Sequence, residues 1–545
     1  MSEVAERLLA DLDDEQRIVA TTVRGPVLVI AGAGTGKTRA ITYRIAYGVA
    51  SGAFDPMKTL ALTFTAKAAG EMRSRLRILG IPQVSARTFH SAALRQLIYF
   101  WPEVFGGRFP QLLTAKSSML KEAANRIGSA DQSAIKSTPT ILREIAGEIE
   151  WCKVSGFSPD QYVEEAERFD RRVSIKSSDV AKVYESYESI KQGERVIDFE
   201  DVLLLTIGML EEESAVRNRV REQYRFFTVD EYQDVSPLQQ RLLDLWLGTR
   251  KDICVVGDPA QTIYSFAGAT PSFLLNFTKK YPDAGVIRLQ RGYRSTQEII
   301  NLSNQMVRSS GMGMELIAGE ISHGVPPRVM AAGNPSEEIS AIIESIREEI
   351  AGGRDERDCA ILVRTNNQID ALERALAVTG LRFQVKEKDK FFDRPEVLDA
   401  MRVIRSASVL SESGHLWPQE LTQLLAPLGS NPYLQAIKDL ADQSRAEGTD
   451  SLRGFLRELE ERKEEENPPQ LPGITLSTIH AAKGLEWPSV YLAMLTKDSM
   501  PWPSSPIDEE RRLFYVAITR AKERLVLSYS GVASPFLSEI GQIQA

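Results

Sequence analysis

The chain has 545 residues, more than one hydrophobic core normally serves, so two or more domains are expected. It is 43% hydrophobic and 26% charged, no apolar run reaches membrane-span length, and the acidic segment Met1 to Asp14 lacks a signal-peptide core; a cytoplasmic protein without membrane contact is expected. A net charge of -8 decides nothing about nucleic acid, since a local basic groove governs phosphate contact, while isolated Cys152, Cys254 and Cys359 and four scattered histidines argue against a zinc site or disulfide framework.

From the N-terminus, Val27 to Ile30 reads as a strand and Ala40 to Val49 as a helix, joined by Ala31-Gly32-Ala33-Gly34-Thr35-Gly36-Lys37-Thr38. A glycine-rich turn in that setting is a phosphate cradle: backbone N–H groups converge, and the helix N-terminus adds partial positive charge. Lys37 suits the β- and γ-phosphates and the Thr38 hydroxyl suits Mg²⁺, although Ala31 stands where the strict motif has glycine. Leu60 to Phe64 follows as a strand and Ala66 to Leu79 as a helix. The stretch from Ser91 to Arg195 is mainly helical, with apolar residues at helical spacing around Ala181 to Tyr187.

Arg225 to Val229 is predicted to be a buried parallel strand running into Asp230-Glu231-Tyr232-Gln233-Asp234. Two carboxylates at a strand's C-terminal end are costly unless something binds them. Asp230 suits a magnesium shell and Glu231 the activation of a water. Cradle and carboxylates together imply hydrolysis of a nucleoside triphosphate. Ile253 to Val256 is a further strand, ending at Gly257-Asp258. Gly285 to Leu289, Ala360 to Val363, Ile474 to Ser477, Val490 to Ala493 and Leu525 to Ser528 are expected to build a second α/β domain. A second helical stretch, Ser406 to Pro472, closes with the charged helix Leu452 to Glu466 and the proline-rich linker Asn467 to Pro472.

With these placed, further blocks fall into a known order. They are Leu12-Asp13-Asp14-Glu15-Gln16, Thr63-Phe64-Thr65-Ala66-Lys67, Thr88-Phe89-His90-Ser91, Ile197-Asp198-Phe199-Glu200-Asp201, Gly257-Asp258-Pro259-Ala260-Gln261-Thr262-Ile263-Tyr264, Gly292-Tyr293-Arg294-Ser295, Thr478-Ile479-His480-Ala481-Ala482-Lys483-Gly484-Leu485-Glu486 and Tyr515-Val516-Ala517-Ile518-Thr519-Arg520-Ala521-Lys522. Through this ordered set the chain resembles the superfamily 1 DNA helicases of the UvrD/Rep/PcrA family over nearly its whole length. Within it, Gln261 to Ala269 looks most like the second UvrD-like helicases of actinobacteria. Those usually carry a further C-terminal helical domain, so a shorter relative or a fragment is expected.

The resemblance implies an α/β fold of two RecA-like P-loop NTPase domains with parallel sheets, each carrying a helical insertion, the second one reduced. Residues 1–90 and 196–277 would form the first RecA-like domain, 91–195 its insertion, 278–405 and 473–545 the second domain, and 406–472 the accessory insertion. ATP would sit between the domains on Ala31 to Thr38 and Arg39. Gln16 would read adenine, Tyr293 would stack on the base and Glu486 would bond the ribose. Arg294 and Arg520 would reach the γ-phosphate, and Gln261 would link it to the DNA side. Phe64, Tyr264 and Phe266 would floor a single-strand groove, with Lys67, His90 and His480 near its backbone.

The resemblance further implies ATP and Mg²⁺ as cofactors and single-stranded, tailed or forked DNA as partner, with 3′-to-5′ movement and protein partners in repair or replication. The chain departs from the family at Ala267, where arginine is common, and in the short loop Thr496 to Asp508. The usual duplex-gripping element is missing from the second insertion, although Pro427-Leu428-Gly429-Ser430 lies in that region. Translocation is therefore expected to exceed unaided unwinding. The alternatives are the motor subunit of a recombination helicase–nuclease complex and a nucleotide-gated DNA-binding scaffold.

Overall fold

A computed structural model describes residues 3–113, 115–131, 137–311, 313–319, 323–386, 391–408, 417–429, 431–446, 448–464, 469 and 471–541. Two parallel six-stranded sheets carry the molecule. The first runs Ser85–Thr88, Thr59–Thr63, Phe226–Val229, Ile253–Gly257, Val27–Ala31, Gly285–Leu289. Its central strands are near-continuous runs of apolar and β-branched residues, and Phe226–Val229 and Ile253–Gly257 are buried throughout, as a parallel sheet covered on both faces requires. The second runs Arg328–Ala332, Ala521–Ser530, Trp487–Leu492, Cys359–Val363, Ile474–Thr478, Phe383–Val385.

Three expected boundaries shift. Gly285–Leu289, placed in the second domain from sequence, pairs in parallel with Val27–Ala31 and closes the edge of the first sheet. Helix Phe89–Val104, expected to open the helical insertion, packs Ala92, Ala93 and Leu97 into the same core as Phe227 and Val229. Helix Pro395–Ala407, expected in the second domain, shares its core with the accessory helices Trp417–Leu425, Pro432–Ala446 and Leu452–Glu464, so that insertion begins near Phe391. Ser430, the end of the predicted charged helix at Glu465 and Glu466, and Asn467, Pro468 and Gln470 of the linker lie outside the described residues.

The first insertion is held to the first domain by buried charge. Lys153 Nζ lies 2.8 Å from Asp198 and 2.6 Å from Asp201, and Lys191 lies 3.0 Å from Asp198. Asp198 and Asp201 also form a capping box that starts helix Phe199–Glu212. Each member of the acidic cluster of Glu188, Asp198 and Asp201 is thus already paired with lysine. Among the described residues no helix is long and apolar enough to cross a membrane.

Candidate nucleotide and nucleic-acid sites

The phosphate loop sits at the carboxyl end of a central strand, where open α/β sheets bind ligands. Gly34 and Gly36 adopt φ of 72° and 75°. A Cβ at Gly34 would stand 2.6 Å from Arg294 Cβ, so backbone and packing both demand glycine there, while at Gly36 the positive φ is the demand, the nearest atom being the tip of the Gln16 side chain. Ala31 is the last residue of the strand and fully buried, so the missing first glycine costs the turn nothing. Helix Lys37–Ala50 begins without a side-chain cap among the described residues, leaving its first N–H groups for an anion.

Lys37 Nζ lies 3.0 Å from Glu231 Oε1. Glu231 is a non-glycine residue at φ 51°, a strained backbone held by its neighbours. Gln233 donates its amide to Glu231 and accepts from the Asp258 N–H at 3.0 Å, tying two strand ends together. Asp230 is 5% exposed; burial, then the adjacent Glu231 charge, pushes its carboxyl above the usual range. Burial also opposes ionisation of Glu231, but Lys37 and then Lys483 outweigh it and hold the group low. Two adjacent carboxylates, Asp230 buried and Glu231 on the cavity wall that also carries Thr38, offer oxygen donors of the kind a divalent cation takes, so the chemistry of the donor set fits Mg²⁺.

The opposite wall comes from the second domain. Arg520 is 1% exposed and donates to the carbonyls of Val516 (2.9 Å) and Leu485 (3.0 Å), to Thr519 Oγ1 (3.0 Å) and to Gln261 Oε1 (3.4 Å). Burial, then the neighbouring Arg294 charge, pushes its guanidinium down to about 9, the mark of a cation short of an anion. Arg294 donates to the Thr519 carbonyl at 3.2 Å, and its Nε stands 2.5 Å from Glu486. Gln261 is fixed by Asp258 at 2.7 Å. A cavity of about 1060 Å³ is lined by the phosphate loop, Glu231, Gln16, Gln261, Tyr293, Arg294, Glu486 and Arg520 together.

Several expected contacts are already taken. The Gln16 amide donates to the Thr35 carbonyl at 3.2 Å, Arg39 donates to the Asp11 carbonyl at 2.5 Å, and Glu486 is paired with Arg294 and with Lys522 at 2.8 Å. Tyr293 is 42% exposed; its N–H donates to the Gly34 carbonyl at 2.8 Å and its hydroxyl to Asp13. Lys483 and Arg75 escape the sequence reading. Lys483 bridges Asp234 and the Gln261 carbonyl at 2.7 Å, and it lies inside a quoted block, which is the signal that could have found it. Arg75 lines the cavity from helix Ala66–Ile78, with nothing local to mark it.

On the other side, Phe64 and Tyr264 stack at 5.4 Å between centroids, 15° from parallel. The Tyr264 hydroxyl donates to the His480 carbonyl at 3.1 Å, and the His480 ring meets the edge of the exposed Phe266 at 5.7 Å. His90 lies apart from this row, stacked on Phe199 at 3.9 Å. Phe199 is half exposed and was not singled out from sequence; the Asp198 cap, which puts it first in its helix, was the available signal. Burial, then Lys116, pushes His90 down to about 3; burial, then Arg364 and Lys483, does the same to His480. Both rings are therefore neutral near pH 7 and offer stacking or a single N–H rather than a positive charge. Lys67 is 3.8 Å from Glu71 and borders, with Arg462, a cavity of about 820 Å³ that adjoins the nucleotide cavity through Thr38, Arg75, Arg294 and Glu486 and is not lined by the aromatic row.

Residues 12–282 match the UvrD/REP helicase N-terminal domain, and residues 287–409 and 431–531 the UvrD-like helicase C-terminal domain. The chain belongs to the UvrD/REP helicase family. The ATP-dependent DNA helicase UvrD2 of Mycobacterium tuberculosis (strain H37Rv) is 41% identical over 98% of this chain and 81% of its own length. The ATP-dependent DNA helicase PcrA of Bacillus subtilis (strain 168) is 28% identical over 98% of this chain and 85% of its own length. The expectation of an α/β helicase of this type is met, and the two expected RecA-like domains correspond to the two parallel sheets.

Proposed function

We propose that this ATP-dependent DNA helicase of the UvrD/PcrA type is a motor that walks along one DNA strand from 3′ to 5′ and opens tailed or forked duplexes during repair or replication restart. One observation carries the motor reading: Lys37 and Glu231 on one domain, and Arg294 and Arg520 on the other, line a single cavity. The direction and the cellular setting rest on the family resemblance.

ATP would lie on the phosphate loop, with Lys37 leaving Glu231 for the β- and γ-phosphates. Thr38 and Asp230 would hold Mg²⁺, which when bound neutralises charge developing on the phosphates. Glu231, released from Lys37, then accepts a proton from the attacking water, and the γ-phosphoryl leaves as phosphate with ADP remaining. Arg294 and Arg520 supply positive charge to that transition state from across the cleft. While the γ-phosphate is present, both walls are drawn to it; once it is gone, the two cations lose their shared anion and the cleft relaxes. Gln261 lies three residues before Tyr264, so this opening and closing reaches the aromatic floor through a short segment.

Steady-state ATPase and unwinding assays on 3′-tailed and 5′-tailed duplexes test the proposal. The 3′-tailed substrate is expected to be opened in preference, and Glu231→Gln is expected to bind ATP yet stall turnover. Equal opening of both tails, or normal turnover in that variant, contradicts it.

A further inference from the structure

Helix Ile507–Ile518 of the second domain runs alongside the segment from Gln261 to Ser265 of the first and touches it at both ends and in between. Just past its C-terminus, Arg520 holds Gln261. In its body, Arg512 Nε donates to the Thr262 carbonyl at 2.7 Å. Near its N-terminus, Glu509 accepts from the Ser265 N–H at 3.1 Å and from the Ser265 hydroxyl. The helix is 12 residues long, and Leu513, Phe514, Val516, Ala517 and Ile518 are all buried, so it moves as one body. At 1.5 Å per residue it spans roughly 18 Å.

Ser265 sits between the two exposed or half-buried rings of the floor, Tyr264 and Phe266, and starts the short turn Ser265–Ala267. Glu509 is 6% exposed, and a buried carboxylate that loses its donors is expensive, so the turn and the helix tip stay together when the cleft moves.

We propose that Glu509 is a positioning residue: through Ser265 it makes the helix a rigid strut that carries cleft closure at Arg520 directly to the rings that grip the strand. Neither Glu509 nor Ser265 lines the nucleotide cavity. The inference rests on the motor reading above. It adds a second route from nucleotide to strand, parallel to the one through Gln261.

The test uses the full chain with Glu509→Ala, Glu509→Gln, Ser265→Ala and the double variant Ser265→Ala/Glu509→Ala. Affinity for a fluorescent oligothymidylate is measured with and without a non-hydrolysable ATP analogue, beside ATPase rates with and without DNA. DNA-free ATPase and its KM for ATP are expected to be unchanged. The nucleotide-dependent change in DNA affinity is expected to shrink by about fivefold or more in Glu509→Ala, within the usual range of intersite coupling. Glu509→Gln, which keeps an acceptor, should restore part of it, and the double variant should be no worse than Glu509→Ala alone. An unchanged coupling ratio in Glu509→Ala, or losses that simply add in the double variant, overturns the strut. If Glu509→Ala fails to fold, Glu509→Gln and Ser265→Ala decide together: each weakens the link and is expected to shrink the ratio in part, and an unchanged ratio in both overturns the strut. Absence of any DNA-stimulated ATPase in the unaltered protein would instead defeat the motor reading itself.

Discussion

The nucleotide cleft and the aromatic floor are built on opposite principles. The cleft concentrates buried charge: Lys37, Asp230, Glu231, Asp258 and Arg520 are drawn together with every group pushed from its ordinary ionisation. The floor relies on rings: Phe64, Tyr264 and Phe266, with His480 held neutral by burial, while His90, equally neutral, stacks on Phe199 apart from them. Buried charge is unforgiving, because removing one partner strands the other. Stacked rings act additively and tolerate any base, since every base has a π-face. The motor proposed above, hydrolysing one substrate yet passing over any sequence, needs the first device on one side and the second on the other.

The sharpest way to break this contrast is at the cleft. Lys37→Ala should abolish DNA-stimulated ATPase while leaving oligonucleotide binding without nucleotide intact. A loss of both would mean that the two regions are not separable. Arg520→Ala should lower turnover by ~10³ or more, as for other arginines acting across a phosphoryl-transfer site; a change of only a few-fold would assign the guanidinium to packing alone. On the floor, Tyr264→Ala should weaken single-strand binding by about 1–3 kcal/mol and leave DNA-free ATPase unaffected, measured by anisotropy titration. The smallest effect is one of acidity. With His90 and His480 near 3, oligonucleotide affinity should stay level from pH 8 to pH 6, whereas cationic histidine contacts would strengthen it as the pH falls.

The same histidines bear on stability. Their folded values lie below the ordinary 6.5, so the unfolded chain binds more protons in the interval between. Their contribution is therefore complete above about pH 6.5 and is lost progressively as the pH falls below it. Thermal melts at descending pH should register that loss, and His90→Phe, which cannot charge, should reduce it.

Much of the cleft was legible in the sequence because its chemistry is local: glycines that need positive φ, a lysine and threonine at a helix start, carboxylates at a strand end. The domain edges were not. Gly285 to Leu289 is a five-residue strand like its neighbours, and nothing in it says which sheet it will join. Helix Phe89–Val104 is continuous in composition with the insertion that follows, and only its packing against Phe227 assigns it to the first core. The motifs put the histidines near the strand's backbone and say nothing of their charge, which burial, a property of the folded chain, removes. Lys67 was placed with the DNA by its motif, but its helix turns it towards the accessory insertion instead. Arg75, on the same helix, had no motif at all.

The crossover between the two sheets begins at Gln290, whose N–H is held by Glu15, and reaches Tyr293, whose N–H is held by the Gly34 carbonyl. The strand that feeds it is bonded along its length to the one that carries the phosphate loop. If the lobes rotate as the proposed motor requires, the turn is centred beside the nucleotide cavity, not on some remote linker. An arc swept about such a fulcrum lengthens with radius, so a slight turn at the pocket becomes a longer travel at the far rim of each lobe.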